Sequence, residues 1–572
     1  MQAVDVTTLS AVLHELRTDW IPARVERVRQ ETPHTLHLLL RSVRGQESLE
    51  ISCHPVAARI HLCWTKMHGK AGTRYPFGYQ VFQHLGGQVL TGLEQPDWER
   101  VAILEFAPRP QAPVTFRLYV EIMGKYSNLL LVDNSGHIVC CAHTVDDSQS
   151  RVRPLMPGDV YTPPPPLLSA IPSQAEPFLN WQGRLSLLPI PLEKALIESY
   201  RGVSRTLTRQ MLAQAGLPGS ILPARLTPDE WQKLHHLWCS WLAVRETNAY
   251  QPGWTPSGYT VLGWGMTALE KSVNFLLDRY YTAALTDQQL NQQRNRLGQI
   301  LNSALKKARV KLSDFVTRRD SAEDHASLKE KADLLMAHPQ ERRPGQTRVV
   351  LPSFATEQPV TIPLNPAKDL IENAQIYYRK HRKAHRALSA LAPLIARMEA
   401  ERDYLEGVLS QLEQADLAVL AEIEQELRAT GYVSSGPKNN IPSAPVSPYH
   451  RFLTPNGLTI LCGRNNRQNE EITFRVAQPN DLWFHAQEIP GAHVLLQIPP
   501  GQVPEASDLQ ATANVAAHYS RARQSGQVPV LYTPRHYLRK LKGHLPGLVT
   551  YSQFQVLWGK PDILPKAHED SE

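Results

Sequence analysis

The chain has 572 residues, enough for three to five domains, and 42% hydrophobic residues can fill several cores. Charged residues make up 20% and the formal net charge is +7, the profile of an ordinary folded chain. No run approaches the roughly 18 uninterrupted apolar residues of a spanning helix, and the six cysteines form no C-x-x-C, which argues against a zinc ribbon or a disulfide scaffold.

The N-terminus, MQAVDVTTLSAVLHEL, has no basic region ahead of an apolar run and reads as no signal peptide, so a cytoplasmic location is expected. Residues 1–166 read mostly as strands: HTLHLLLR, SLEISCH, RVAILEF and NLLLVDNSGHIVCC are short, β-rich and bounded by turn residues. The segment closes with PGDVYTPPPP, a proline run that neither stays helical nor joins a central strand. Residues 167–265 read as helical, with SYRGVSRTLTRQMLAQAG as a helix, glycine-containing turn and helix. Such a hairpin either packs plainly or offers backbone N–H groups to a phosphate.

Residues 266–432 contain two long helical tracts. In the first, Leu297, Leu301, Ala304, Ala308, Leu312 and Phe315 recur at helical spacing. In the second, the apolar residues from Leu388 through Leu405 to Ile423 fall on a 3-4 heptad seam, interrupted by Arg402 and Asp416. Pro393 should kink its early part. A continuous helix over 366–430 would be roughly 100 Å long at ~1.5 Å per residue. Between the tracts, PGQTRVVLPSFATEQPVTIPL predicts a small β lobe, about 338–366, at the tip of an antiparallel hairpin. A linker at 433–448, GPKNNIPSAPVSP at its heart, precedes a last domain at 449–572. Strands are predicted there at LTILCG, ITFRVA, HVLLQI, VPVLYT and YSQFQVLW, with one helix at DLQATANVAAHYSRARQ. The fold class is therefore multidomain α+β.

Charge is unevenly placed. Residues 509–561 hold no Asp or Glu but carry Arg535, Lys540 and five further cations. The run RKHRKAHR at 379–386, with Arg379, Lys380, Arg382 and Lys383, also lacks an acid. One such run is usually a solvated helix face. Two in one chain point to a polyanion, most simply RNA or DNA. Catalytic motifs are absent: there is no phosphate-cradling G-x-x-x-x-G-K-[ST], no G-x-S-x-G and no H-E-x-x-H. The stretch DLWFHAQEIPGAHVLL holds His485 and His493 on either side of Pro490-Gly491, and a zinc site there would need two more ligands. We read it instead as part of an RNA-binding surface. Asp481 would organise a turn, Trp483 would be buried, and both histidines would share a groove with Arg464, Arg467, Arg535 and Lys540.

Several stretches carry a resemblance covering nearly the whole chain: AARIHL (57–62), EIMGKYSNLLLVD (121–133), YRGVS, ENAQIYYRK (372–380), IEQELRATGYV and PGLVTY. The most specific is GRNNRQNEEITFRVAQPNDLWFHAQEIPGAHV (463–494). The chain resembles the NFACT family of ribosome-quality-control factors, whose members carry an older description as fibronectin-binding proteins. The resemblance implies a monomeric recruiter rather than an enzyme, without a cofactor. Such a protein binds the large ribosomal subunit holding a stalled peptidyl-tRNA, through rRNA and tRNA, and brings alanyl-tRNA for template-free C-terminal tailing. It also implies that an acid–Arg pair, here Glu99-Arg100, serves tRNA use.

The chain departs from the family pattern at three places. Glu99 replaces an Asp, Val81-Phe82-Gln83 replace a Leu-Arg-Lys element, and Gly491-Ala492-His493 replaces Gly-Ser-His. Two rival readings are a fibronectin-binding surface adhesin, which would need export, and a DNA-glycosylase-like repair protein. Enzymes of that second kind use an N-terminal proline amine, where this chain has Gln2, and end in a zinc finger.

Overall fold

The computed structural model describes residues 1–64, 75–165, 168–322, 325–341, 345–434, 449–540 and 545–567. The chain forms two compact units, Met1–Asp287 and Gln288–Glu572, and is multidomain α+β. No described helix is long and apolar enough to cross a membrane.

The first unit opens with a helix that the sequence reading omitted, α1 (Val6–Trp20). Asp5 caps it by accepting the Thr8 N–H at 2.8 Å, and the apolar face from Val6 to Leu16 is buried. A nine-stranded antiparallel sheet follows. Its strands are β1 (Ala23–Thr32), β2 (Thr35–Ser42), β3 (Gly45–Ser52), β4 (Arg59–Cys63), β5 (Val89–Glu94), β6 (Val101–Ala107), β7 (Phe116–Glu121), β8 (Asn128–Asp133) and β9 (Ile138–Cys141). Their hydrogen-bonded order is β4-β3-β2-β1-β5-β6-β7-β8-β9, so the expected strands around HTLHLLLR, SLEISCH, RVAILEF and NLLLVDNSGHIVCC all form. Helix α2 (Pro76–Leu85) packs on β1 and also reaches β9.

Four helices come next: α3 (Phe178–Leu185), α4 (Leu192–Ser199), α5 (Arg205–Ala215) and α6 (Pro228–Thr247). The last starts at a reciprocal Thr227–Glu230 capping box. Three short strands, β10 (Gly253–Thr255), β11 (Gly258–Thr260) and β12 (Ala268–Leu269), form a small sheet where only helix was expected. One apolar core runs continuously from Val4 through the sheet and these helices to Tyr281.

In the second unit, α7 (Val273–Ala322), which begins in the first, and α8 (His325–Ala337) supply the first long tract. The hairpin β13 (Arg348–Pro352) and β14 (Pro359–Pro363) packs with α8 and the start of α9 (Leu370–Gln414), forming the expected small lobe. The second tract is not one continuous helix. It ends at Gln414 and restarts as α10 (Leu417–Ala429), because Asp416 turns its carboxylate back to accept the Val419 N–H at 2.9 Å. That residue, read as a polar break in the heptad seam, is an N-cap. Leu297, Leu301 and Ala308 pack against Leu405, Leu412, Val419 and Ile423, as the seam predicts.

Most of the linker lies outside the described residues. The C-terminal sheet runs β15-β16-β18-β17-β19-β22, all antiparallel. Its strands are β15 (His450–Leu453), β16 (Thr459–Cys462), β17 (Leu482–Ala486), β18 (Val494–Leu496), β19 (Val528–Pro534) and β22 (Gln555–Gly559). A two-stranded ribbon, β20 (Leu538–Lys540) and β21 (Val549–Tyr551), stands beside it, and α12 (Ala506–His518) covers one face.

ITFRVA is not a strand. Asn465 caps α11 (Asn466–Glu471), and the helical path continues as a π-type turn over Ile472–Val476. The Thr473 hydroxyl donates to the Asn469 carbonyl at 2.7 Å, so a β-favouring stretch is held helical by its surroundings.

Candidate functional site

In the first unit, the tight turn between β5 and β6 carries Glu99 and Arg100. Trp98 adopts a left-handed φ of 59° and turns its ring inward against Trp241 at 5.4 Å, with the Arg245 guanidinium over it at 3.8 Å. Arg100 is exposed and Glu99 half-buried. Burial raises the Glu99 carboxyl pKa, while the positive charges of Arg201 and Arg100 pull it down. Arg201 comes from YRGVS, whose Gly202 has a φ of +70°. A Cβ there would lie 2.8 Å from the Trp98 ring, so only glycine fits. Ser204 of the same motif caps α5 and donates to Asp5 at 2.6 Å. Two motifs a hundred residues apart thus form one polar corner of Asp5, Glu99, Arg100, Arg201 and Ser204. Arg201 lies in YRGVS, but nothing local in the sequence ties it to Glu99.

Val81 is fully buried in α2, whereas Phe82 and Gln83 are exposed. That helix presents an aromatic and an amide outward, and no cation at these positions.

In the second unit, register governs DLWFHAQEIPGAHVLL. Phe484 pairs with Val494 across β17 and β18, and one step further along sets His485 opposite His493. Strand alternation puts Trp483 on the same face. The three rings pack together: Trp483 stacks on His485 at 5.6 Å and meets His493 edge-on at 4.9 Å, and the histidine rings are 5.6 Å apart. Asp481 organises the preceding turn as expected, accepting from the Ile498 N–H at 2.9 Å and the Gln478 N–H at 2.8 Å. Trp483 is 1% exposed, as expected, but so nearly is His493 at 3%.

The expectation that both histidines face an open groove beside four cations is therefore corrected. The His493 ring Nδ1 lies between the Thr473 hydroxyl at 2.8 Å and the Asn469 carbonyl at 3.2 Å, and the backbone N–H of His493 donates to Asn469 Oδ1 at 3.0 Å. Burial lowers its pKa to about 3, helped by His485, and burial lowers that of His485 to about 4. Both rings are neutral at physiological pH. They line a cavity of 960 Å³ with Trp483, Asn466, Glu488 and Tyr551, and its opposite wall is helical, including Arg309 and Glu406. The indole N–H of Trp483 is buried there without a protein acceptor among the described residues.

The cations are not in that cavity. Arg464 pairs with Asp416, the N-cap of α10, and Lys540 with Glu470. The Arg535 guanidinium stacks over Phe474 at 4.9 Å and donates to the Leu538 carbonyl at 3.3 Å. Lys540 and Arg535 thus secure elements of the C-terminal domain, and Arg464 ties that domain to α10. Arg467 is exposed.

The specific NNRQN stretch docks α11 on the coiled coil. Asn465 donates to Glu422 at 2.6 Å, Asn466 accepts from Gln411 at 2.7 Å and donates to Glu426 at 3.3 Å. Arg379, Lys380, Arg382 and Lys383 stand exposed along α9 as expected, and none pairs with an acid among the described residues.

Three further side chains escaped the sequence reading. His34, Cys53 and His143 converge in the first unit with their ligand-type atoms all within 4.8 Å of one another. They come from separate turns 19 and 90 residues apart, and no linear spacing announces them.

Residues 5–444 match the family model described as NFACT N-terminal and middle domains, and residues 448–550 match the NFACT protein RNA binding domain. The chain is 28% identical over 561 residues to the Rqc2 homolog RqcH of Bacillus subtilis, with 96% of each chain covered. It is 30% identical over 565 residues to the Rqc2 homolog RqcH of Streptococcus pneumoniae, with 97% of each covered. It is also similar to the C-terminal part of the fibronectin/fibrinogen-binding protein from Streptococcus suis. There the identity is 31%, the coverage 48% of this chain and 95% of that one, and the TM-score 0.38.

Proposed function

The chain belongs to the NFACT family, and from that premise we propose that it is a cytoplasmic ribosome-associated quality-control factor that binds RNA. It recognises the large ribosomal subunit holding a stalled peptidyl-tRNA and recruits a further tRNA, alanyl-tRNA, for template-free tailing. It acts as a monomeric recruiter, with the ribosome forming each peptide bond. Near-complete coverage by relatives named Rqc2 homolog RqcH carries this reading. The exposed run of cations on α9 supports it, since phosphate contacts position a protein on RNA without reading sequence.

In this reading the polar corner around Glu99 and Arg100 serves tRNA use, and Arg379, Lys380, Arg382 and Lys383 meet rRNA or tRNA phosphates. Arg467 adds a contact from the C-terminal domain. Trp483, His485 and His493 serve as a cavity wall with neutral donors and acceptors, in place of a charged groove.

The test is sedimentation of tagged protein in a low-salt gradient. The protein should travel with free large subunits and not with intact ribosomes. Replacing the four α9 cations by Glu should weaken that association and flatten its salt dependence by up to about 0.9 log unit per lost phosphate contact. Protein remaining at the top of the gradient would refute the reading.

A further inference from the structure

His34 lies in the turn between β1 and β2, Cys53 directly after β3, and His143 two residues beyond β9. The sheet's hydrogen-bonded order separates β9 from β2 and β3 by five or more strands. These three side chains therefore bridge parts of the sheet that share no strand pairing. Their backbones are fixed independently. The Cys53 N–H donates to the His34 carbonyl at 2.9 Å. The Asn128 side chain holds His143 at both its N–H, at 3.0 Å, and its carbonyl, at 2.8 Å.

The distances suit one metal ion. His34 Nδ1 and His143 Nε2 are 3.2 Å apart, and Cys53 Sγ is 3.5 Å from that same Nε2. A tetrahedral zinc with nitrogens at ~2.0–2.1 Å and sulfur at ~2.3 Å sets its ligand atoms roughly 3.3–3.6 Å apart. The third pair lies within 4.8 Å, so binding would draw His34 and Cys53 together to the same separation. Cys53 is 2% exposed while both histidines are half-buried, which leaves an entry path from solvent. His54 stands next to His34 with ring centroids 5.5 Å apart. Its Nδ1 takes the Val56 N–H at 3.4 Å, so its Nε2 points elsewhere.

We propose that His34, Cys53 and His143 form a zinc site that staples the β9 end of the sheet to the β2–β3 end, with water in the fourth position beside His54. Binding expels the Cys53 thiol proton to solvent, and His34 and His143 coordinate as neutral rings. The set is cysteine plus two histidines with one exchangeable position.

The experiment uses full-length protein without an affinity histidine tag, stripped with a chelator and then titrated with zinc against a chromogenic competitor. One equivalent should bind tightly and raise the thermal midpoint. Cys53→Ser and His143→Gln should each weaken binding at least ten-fold, while His236→Gln, at an exposed histidine elsewhere, should not. Cobalt(II) should give intense tetrahedral ligand-field bands and a sulfur-to-cobalt charge-transfer band that disappears in Cys53→Ser. Circular dichroism of the stripped variants separates lost ligands from lost fold. If the wild type retained no stoichiometric zinc, or if Cys53→Ser bound metal and coloured with cobalt like the wild type, the site would be refuted.

Discussion

His493 and His485 should make the C-terminal domain acid-labile, by an amount that follows from their burial. Among the described residues His493 has no carboxylate partner: its neighbours include Thr473, Asn469, Gly547, Trp483 and His485. Its pKa is lowered to about 3 in the fold, against roughly 6.5 in an unfolded chain. As pH falls the unfolded chain takes up protons first, so the stabilisation is complete above the unfolded value and is lost below it. Between pH 7 and pH 5 this costs about 2 kcal/mol for His493. His485, whose pKa is lowered to about 4, adds a somewhat smaller loss because it is only half-buried.

Native-state hydrogen exchange of the β17 and β18 amides, corrected for intrinsic rates, measures this loss directly. His493→Gln preserves a polar contact for Thr473 and removes the titration, so its protection should fall by about 2 kcal/mol less between pH 7 and pH 5 than that of the wild type. The double His485→Gln, His493→Gln variant should be flatter still. An identical fall in wild type and double variant would mean that the rings reach solvent in the native state.

Trp483→Ala should cost about 3–5 kcal/mol, since the indole is fully buried between two rings and the sheet; a midpoint shift confined to C-terminal peptides in heat-pulse exchange would show it. Asn466→Ala leaves the Gln411 amide without its acceptor while Glu426 keeps the Tyr404 hydroxyl, and one orphaned buried group costs about 1–3 kcal/mol, so urea unfolding of the α9–α11 region should shift to lower denaturant. Glu99→Ala combined with Arg100→Ala should abolish C-terminal tails while sedimentation with the large subunit persists. Loss of both together would assign the pair to docking or folding.

Elements with a strong local period were legible. The alternating strands of the first unit and the heptad seam from Leu388 to Ile423 state their faces in their spacing, because period-2 and 3-4 patterns each fit one geometry. What was not legible depended on distant partners. Nothing within ITFRVA says helix; the cap at Asn465 and the polar bonds of Thr473 and Asn469 decide it. Asp416 looked like a defect in a seam until its carboxylate was found capping the next helix and pairing with Arg464.

The same reasoning explains why charge misled where register did not. The acid-free stretch from 509 to 561 suggested free cations, yet Lys540, Arg521 and Arg523 find acids that lie outside that stretch, on α11 and α9. A run on one helix face is different: along α9, residues three or four apart share one exposed side, so Arg379, Lys380, Arg382 and Lys383 cannot all reach partners on a single neighbouring helix. The histidines illustrate the complementary case. A spacing of eight around Pro490-Gly491 contains the hairpin and hence the pairing of His485 with His493. Whether that pair faces water or a wall depends on Trp483 and on the helices that close the cavity. His34, Cys53 and His143 carry no local period at all. Only a sheet that brings β9 back toward β2 and β3 puts them within reach of one ion, and for that reason the site calls for a metal titration to test it.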